Sequence, residues 1–169
     1  MILVIDCFNL IYKFPELEEM MYCNKLSQAR VGLLQVLLKY QKKRSKLEIY
    51  AFFDGKKESG SVVRQENLDG IKIFYSHERS ADSLIKQFIK ENPFPSSLHI
   101  VTSDKDILFY CKKFKCNTQT SEIFHDHIVE FFQEKNEFTE KESDRKLDSS
   151  EIEFWTAMFK KKSSDKKKL

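Results

Sequence analysis

Apolar residues in this chain fall into short continuous runs and into helical stripes, and the two kinds alternate. Met1 to Ile5 is apolar without a break and stops at Asp6, which reads as a strand buried on both faces of a parallel sheet. Largely apolar runs recur at Leu47–Phe53, ending at Asp54-Gly55, at Ile71–Tyr75, and at Leu98–Thr102, ending at Ser103-Asp104. Between the runs lie stripes at helical spacing. Ala29, Leu33, Leu34, Leu37 and Tyr40 predict a helix from a Ser27 cap to about Lys43. Leu84, Ile85, Phe88 and Ile89 predict another behind a Ser80 cap, with Asp82 in its first turn and Pro93 and Pro95 beyond its end. Ile107, Leu108, Cys111 and Phe114 mark a third helix, and Ile123, Ile128, Phe131 and Phe132 a fourth behind a Ser121 cap.

The remaining stretches are read as connections. Tyr12 to Met21 is a loop carrying Pro15 and a helical turn, and residues 56–70, with Gly60 and Gly70, are a polar loop. Asn117 to Thr120 leaves room for a short strand. Alternation of this kind predicts an α/β sandwich around a mostly parallel sheet. The domain is expected over residues 1–135, followed by a charged linker over 136–148 and a C-terminal helix with a basic tail over 149–169. Ser150 and Glu153 have capping-box spacing ahead of that helix, whose stripe is Ile152, Trp155, Met158 and Phe159.

Composition narrows the function classes. At 169 residues the chain fits one domain with a sizeable core. No apolar run reaches the roughly 18 residues of a membrane-spanning helix, and the first residues lack a basic region ahead of Asp6, so a cytoplasmic location is expected. Cys7, Cys23, Cys111 and Cys116 form no C-x-x-C pair and are expected to be reduced, and no Cys or His spacing suits zinc. The net charge of +3 is concentrated at the end, where residues 160–169 hold six lysines and one aspartate. A basic tail on a nearly neutral body suits either a polyanionic partner or a solvated end.

Parallel strands with right-handed crossovers bring their carboxyl ends to one edge, where α/β sheets place ligands. Asp6, Asp54 and Asp104 follow strands directly, and Asp82 opens the helix after another. Acids crowded together repel one another and raise each other's pKa, a cost that a divalent cation offsets. Oxygen donors suit Mg²⁺ or Mn²⁺, which can activate water and stabilise charge developing on a phosphodiester. An aspartyl-phosphate phosphatase would want a second acid two residues after Asp6, where Phe8 stands, and neither phosphate-binding glycine motif is present.

These residues also resemble a known family. Asp6-Cys7-Phe8-Asn9-Leu10-Ile11 is similar to the D-G-Y-N-[LM]-I opening of the YacP-like NYN domains, a branch of the PIN-like nuclease superfamily. The likeness continues through Pro15, Ala29-Arg30, Tyr40-Gln41, Phe53-Asp54-Gly55, Ser80 to Ile85 (family T-A-D-x-x-I) and His99 to Asp104 (family H-V-x-T-S-D), and includes the Trp155 helix. It implies a Rossmann-like PIN fold and a metal-dependent endoribonuclease acting on messenger RNA in association with the ribosome. On that resemblance Asp6, Asp82 and Asp104 hold Mg²⁺ or Mn²⁺, and Asp54 is a fourth carboxylate or supports the others. Asn9, Thr102 and Ser103 orient ligands or substrate phosphate. Apart from the resemblance, Arg64, Arg79, Lys105, Lys112, Lys113, Lys115 and the tail are basic positions that suit RNA phosphates or a solvated surface. Cys7 and Phe8 depart from the family glycine and tyrosine, so the local turn there is expected to differ. The alternative is a non-catalytic RNA- or ribosome-binding module with a structural acid cluster. A monomer is the default for either reading.

Overall fold

The computed structural model describes residues 1–140. In chain order the elements are β1 (Ile2–Asp6), α1 (Cys7–Ile11), α2 (Pro15–Tyr22), α3 (Leu26–Lys42), β2 (Glu48–Phe53) and β3 (Gln65–Leu68). There follow β4 (Ile71–Tyr75), α4 (Ala81–Glu91), β5 (Leu98–Val101), α5 (Lys105–Phe114), β6 (Asn117–Gln119) and α6 (Ser121–Glu140). The strands form one sheet in the order β3-β4-β2-β1-β5-β6, parallel except for β3. After β1 the chain builds outward through β2 and β4, then returns across β1 to lay down β5 and β6. Strand order therefore reverses between β1 and β5.

Each face of the sheet is covered, which explains why β1 is apolar throughout. Leu3 and Ile5 pack with α1, α2, α3 and α6, while Val4 between them faces α4 and α5 with Phe52 and Ile100. Ile5 has no exposed surface, and truncating such a residue to alanine costs about 2–5 kcal/mol. No described helix is long and apolar enough to cross a membrane.

Several local expectations change. The stretch read as a loop over 56–70 contains β3, which pairs antiparallel with β4. Asp69 and Gly70 both take positive φ (48° and 96°), the requirement of a two-residue hairpin turn for which Asp-Gly is a strong signal. The loop after β1 is mostly helix, since Pro15 stands in the first turn of α2, where its missing N–H costs nothing. Ser27 does not cap α3, which begins at Leu26 with Lys25 before it. At α6 the cap is Thr120, whose Oγ1 accepts from the Ile123 N–H at 3.3 Å, and Ser121 is the first helical residue. Ile123, expected to face inward, is 58% exposed. The polar stretch 117–120 does supply a strand, held to β5 by backbone pairing. α6 continues to Glu140, into the stretch read as a linker. The rest of that stretch and the Trp155 helix lie outside the described residues.

Candidate active site

Asp6 ends β1 at the reversal of strand order, and Thr102 follows β5 beside it. The Thr102 hydroxyl donates to Asp6 Oδ2 at 2.9 Å and accepts from the backbone N–H of Asp104 at 3.1 Å. One buried side chain thus ties two of the four acids together. Asn9, a half-turn into α1, donates from Nδ2 to the same Asp6 oxygen at 2.6 Å. Asp6 is only 5% exposed. Burial pushes its pKa up to about 6, Thr102 and Asn9 pull against that, and the charge of Asp54 adds a smaller upward push. Desolvation, more than repulsion among carboxylates, is the main cause.

Asp54 lies just past β2 and acts on α4. Its Oδ1 accepts from the Ala81 N–H at 2.6 Å and, more weakly, from the Ser76 hydroxyl at 3.4 Å. Ser76 Oγ in turn accepts from the Gly55 N–H at 2.8 Å. Ser80 caps the same helix through the Ser83 N–H at 3.1 Å. An anion against a helix N-terminus is favoured by the unpaired amides and the dipole. Asp54 and Ser80 together place Asp82 in the first turn of α4.

Asp82 Oδ2 receives Lys86 Nζ at 3.1 Å, one turn along α4, whereas Asp82 Oδ1 is buried with no hydrogen-bond partner. The hydrogen bond to Asp82 raises the Lys86 pKa, and the fields of Asp106 and Asp104 add smaller upward pushes. Asp104 caps α5, its Oδ1 accepting from the N–H groups of Asp106 at 2.8 Å and Ile107 at 3.2 Å. Thr102 thus links Asp6 to Asp104, Lys86 joins Asp82 to the field of Asp104, and Asp54 holds the start of α4, all on one edge of the sheet. Among the described residues no three His, Cys, Asp or Glu side chains are gathered closely enough to ligate one ion directly. The donor set still suits a hard cation that keeps its waters and takes one or two carboxylates, as Mg²⁺ does. The unpartnered Asp82 Oδ1 fits the same need, because a buried carboxylate oxygen without a donor is costly unless a cation or water meets it.

The other expected residues spread out. Ser103 Oγ donates to Glu122 at 2.5 Å and accepts from the Ser121 N–H at 3.0 Å, so its hydroxyl joins the sheet edge to α6. Arg79 is exposed and donates to Ser83 Oγ and Gln87 Oε1. Lys105 opens α5 beside Asp104 and is exposed.

Two residues with a part in this geometry were not among the expected site residues. Arg30 on α3 is 6% exposed and lies within 5.7 Å of the ring centres of Phe8, Phe53 and Tyr75. Its guanidinium donates to the carbonyls of Asp54 (2.7 Å), Lys56 (2.6 Å) and Lys57 (3.0 Å), fixing the segment that follows β2. Lys86 is the other; its spacing of four from Asp82 was the one available hint.

Comparison with known proteins agrees with this architecture. Crystal structures of Rae1 (YacP) from Bacillus subtilis superpose on the chain. A tryptophan-to-leucine mutant does so with a TM-score of 0.68 at 18% identity, covering 94% of this chain and 92% of that one. A second Rae1 structure gives 0.66 at 18% identity, covering 83% and 80%. No curated protein sequence matches the chain. The YacP-like NYN domain model matches residues 3–164, and with nearly the whole sequence inside that match the chain belongs to the YacP-like NYN domain family.

Proposed function

We propose that the chain is an endoribonuclease that hydrolyses RNA phosphodiester bonds with Mg²⁺ or Mn²⁺, and that its substrate is messenger RNA at the ribosome. The observation that carries the hydrolase reading is that Asp6, Asp54 and Asp104 follow parallel strands to the edge where strand order reverses, with Asp82 in the first turn of α4 and its Oδ1 left unpartnered. Membership in the NYN family supports RNA as substrate. Messenger RNA and the ribosome rest on the resemblance drawn from the sequence.

In this reading the ion would sit among Asp6, Asp82 and Asp104, bound by one or two of them directly and by the rest through its waters. When bound, the ion supplies an activated water and neutralises charge developing on the phosphate. Thr102 and Asn9 orient the Asp6 carboxylate, and Asp54 holds the helix that presents Asp82. Arg79 and Lys105 offer positive charge to the RNA backbone. Asp104→Asn and Asp6→Asn keep size and polarity but remove a charge the metal needs. Cleavage of RNA in Mg²⁺ should fall about a hundredfold or more in each, given the several kcal/mol such ions supply. Folded variants that cut like the parent would overturn the reading.

A second reading, a binding module whose acids are structural, draws on Lys86, which already neutralises Asp82 and stands near Asp104 and Asp106. The two part on one result: the module binds RNA and leaves it intact in Mg²⁺ and Mn²⁺.

A further inference from the structure

We infer that the outer face of α5, with the cleft beside it, holds a single-stranded segment of RNA running away from the carboxylate edge. The inference rests on the nuclease reading for the kind of nucleic acid and for the direction, since α5 begins at Asp104.

Lys105, Phe109, Lys112 and Lys113 follow at spacings of four, seven and eight residues, which places them on one side of α5. The opposite side, with Ile107 and Cys111, is buried in the core. All three lysines are exposed, and Phe109 is 65% exposed with Lys113 Nζ 6.0 Å from its ring centre. Asp106 borders this stripe on the side toward α4, where it meets the field of Lys86. On the other border the surface falls into a cleft of about 540 Å³. Leu108 and the exposed Ile123 supply its apolar walls, and Lys112, Thr118 and Gln119 its polar ones.

A stripe of lysines with an exposed ring, next to a cleft with apolar walls and hydrogen-bonding edges, fits an unpaired nucleotide strand. Lysines track phosphates without reading sequence. An exposed aromatic side chain stacks on a base, and single-stranded RNA can splay a base into a cleft while a duplex cannot. The cleft falls within the roughly 300–1,000 Å³ range of small-ligand sites, large enough for one base.

The test uses the full chain in EDTA, with fluorescence anisotropy of a labelled single-stranded RNA of mixed sequence and of the same RNA in a duplex. Phe109→Ala should weaken single-strand binding about tenfold, within the range measured for loss of one stacked base. The double variant Lys112→Ala, Lys113→Ala should weaken it at least as much and make the log–log salt slope shallower by about 1.4, the value for two lost phosphate contacts on a single strand. Lys90→Ala, on the exposed end of α4, should bind like the parent. Because all altered side chains are exposed, circular dichroism and melting should match the parent. Parent-like binding by both α5 variants would overturn the inference, as would equal losses on single strand and duplex. Protein partners captured through α5 with RNA binding unmoved would overturn it too. A parent that binds RNA through α5 yet never cleaves it in Mg²⁺ would leave this surface standing and sink the nuclease reading.

Discussion

The Thr102 hydroxyl lies 2.9 Å from Asp6 Oδ2 and 3.1 Å from the amide nitrogen of Asp104, linking the two sides of the strand-order reversal through one oxygen. Thr102 is fully buried, so neither bond is exchanged cheaply for water. Thr102→Val keeps the shape and removes both. It should lower stability by about 1–3 kcal/mol and move the Asp6 pKa further upward, because a bond that favours the carboxylate is gone. Thr102→Ser should restore most of both effects. Urea denaturation and carboxyl NMR titration read them separately, and a valine variant as stable as the parent would show that the bridge contributes nothing.

Stability of the metal-free protein should depend on pH through Asp6. Its folded pKa is raised from 3.8 to about 6, so the folded state binds the proton more tightly than the unfolded chain. The contribution is fully present below about 3.8 and is lost as pH rises through about 6. At neutral pH this costs on the order of 3 kcal/mol. Asp6→Asn should therefore melt higher than the parent above that window, in EDTA, while losing cleavage. Glu122 runs the other way. Lys13 at 2.7 Å and Ser103 hold its pKa down to about 2, so its contribution is present above the usual carboxylate range and lost as pH falls toward that value. A parent and Asp6→Asn with identical melting curves across this range would refute the Asp6 assignment.

Lys86 competes for the acids that a metal would use. Its ammonium sits 3.1 Å from Asp82 Oδ2, within the field of Asp104 and Asp106. Lys86→Met keeps the aliphatic stem and removes the charge. The magnesium concentration that half-saturates the thermal shift should fall about two- to fivefold, the scale of a partly exposed ion pair. The readout is melting temperature against Mg²⁺. An unchanged midpoint would mean that Lys86 does not stand between the acids and the ion.

Arg30 fixes the segment after β2 through three carbonyls while wedged among three aromatic rings. Arg30→Met fills similar volume but leaves those carbonyls without a donor, at a cost on the order of 3 kcal/mol. Hydrogen exchange should quicken over residues 54–64, the connection toward β3. Arg30→Lys should rescue little, since a single ammonium cannot reproduce the planar fork. Unchanged exchange over that segment in Arg30→Met would count against this role.

Local patterning is enough to dictate the parallel sheet and the edge at which its strand-ending acids lie. Apolar runs ending in Asp6, Asp54 and Asp104 are local facts, and right-handed crossovers leave one edge for them to share. Ser80 as a cap was equally local, because capping needs only neighbours three residues away. What lay beyond reach is of two kinds. β3 is a polar edge strand held by backbone pairing, so it carries no side-chain periodicity by which strands are read, and only Asp69-Gly70 hints at it. The partners of Thr102, Arg30 and Lys86 are set by which strands become neighbours and how helices cross them. Thr102 reaches Asp6 across 96 residues of chain, and no spacing rule spans that distance. Such contacts emerge only on packing, since buried hydrogen bonds and ion pairs depend on distances of a few ångströms that the assembled sheet defines.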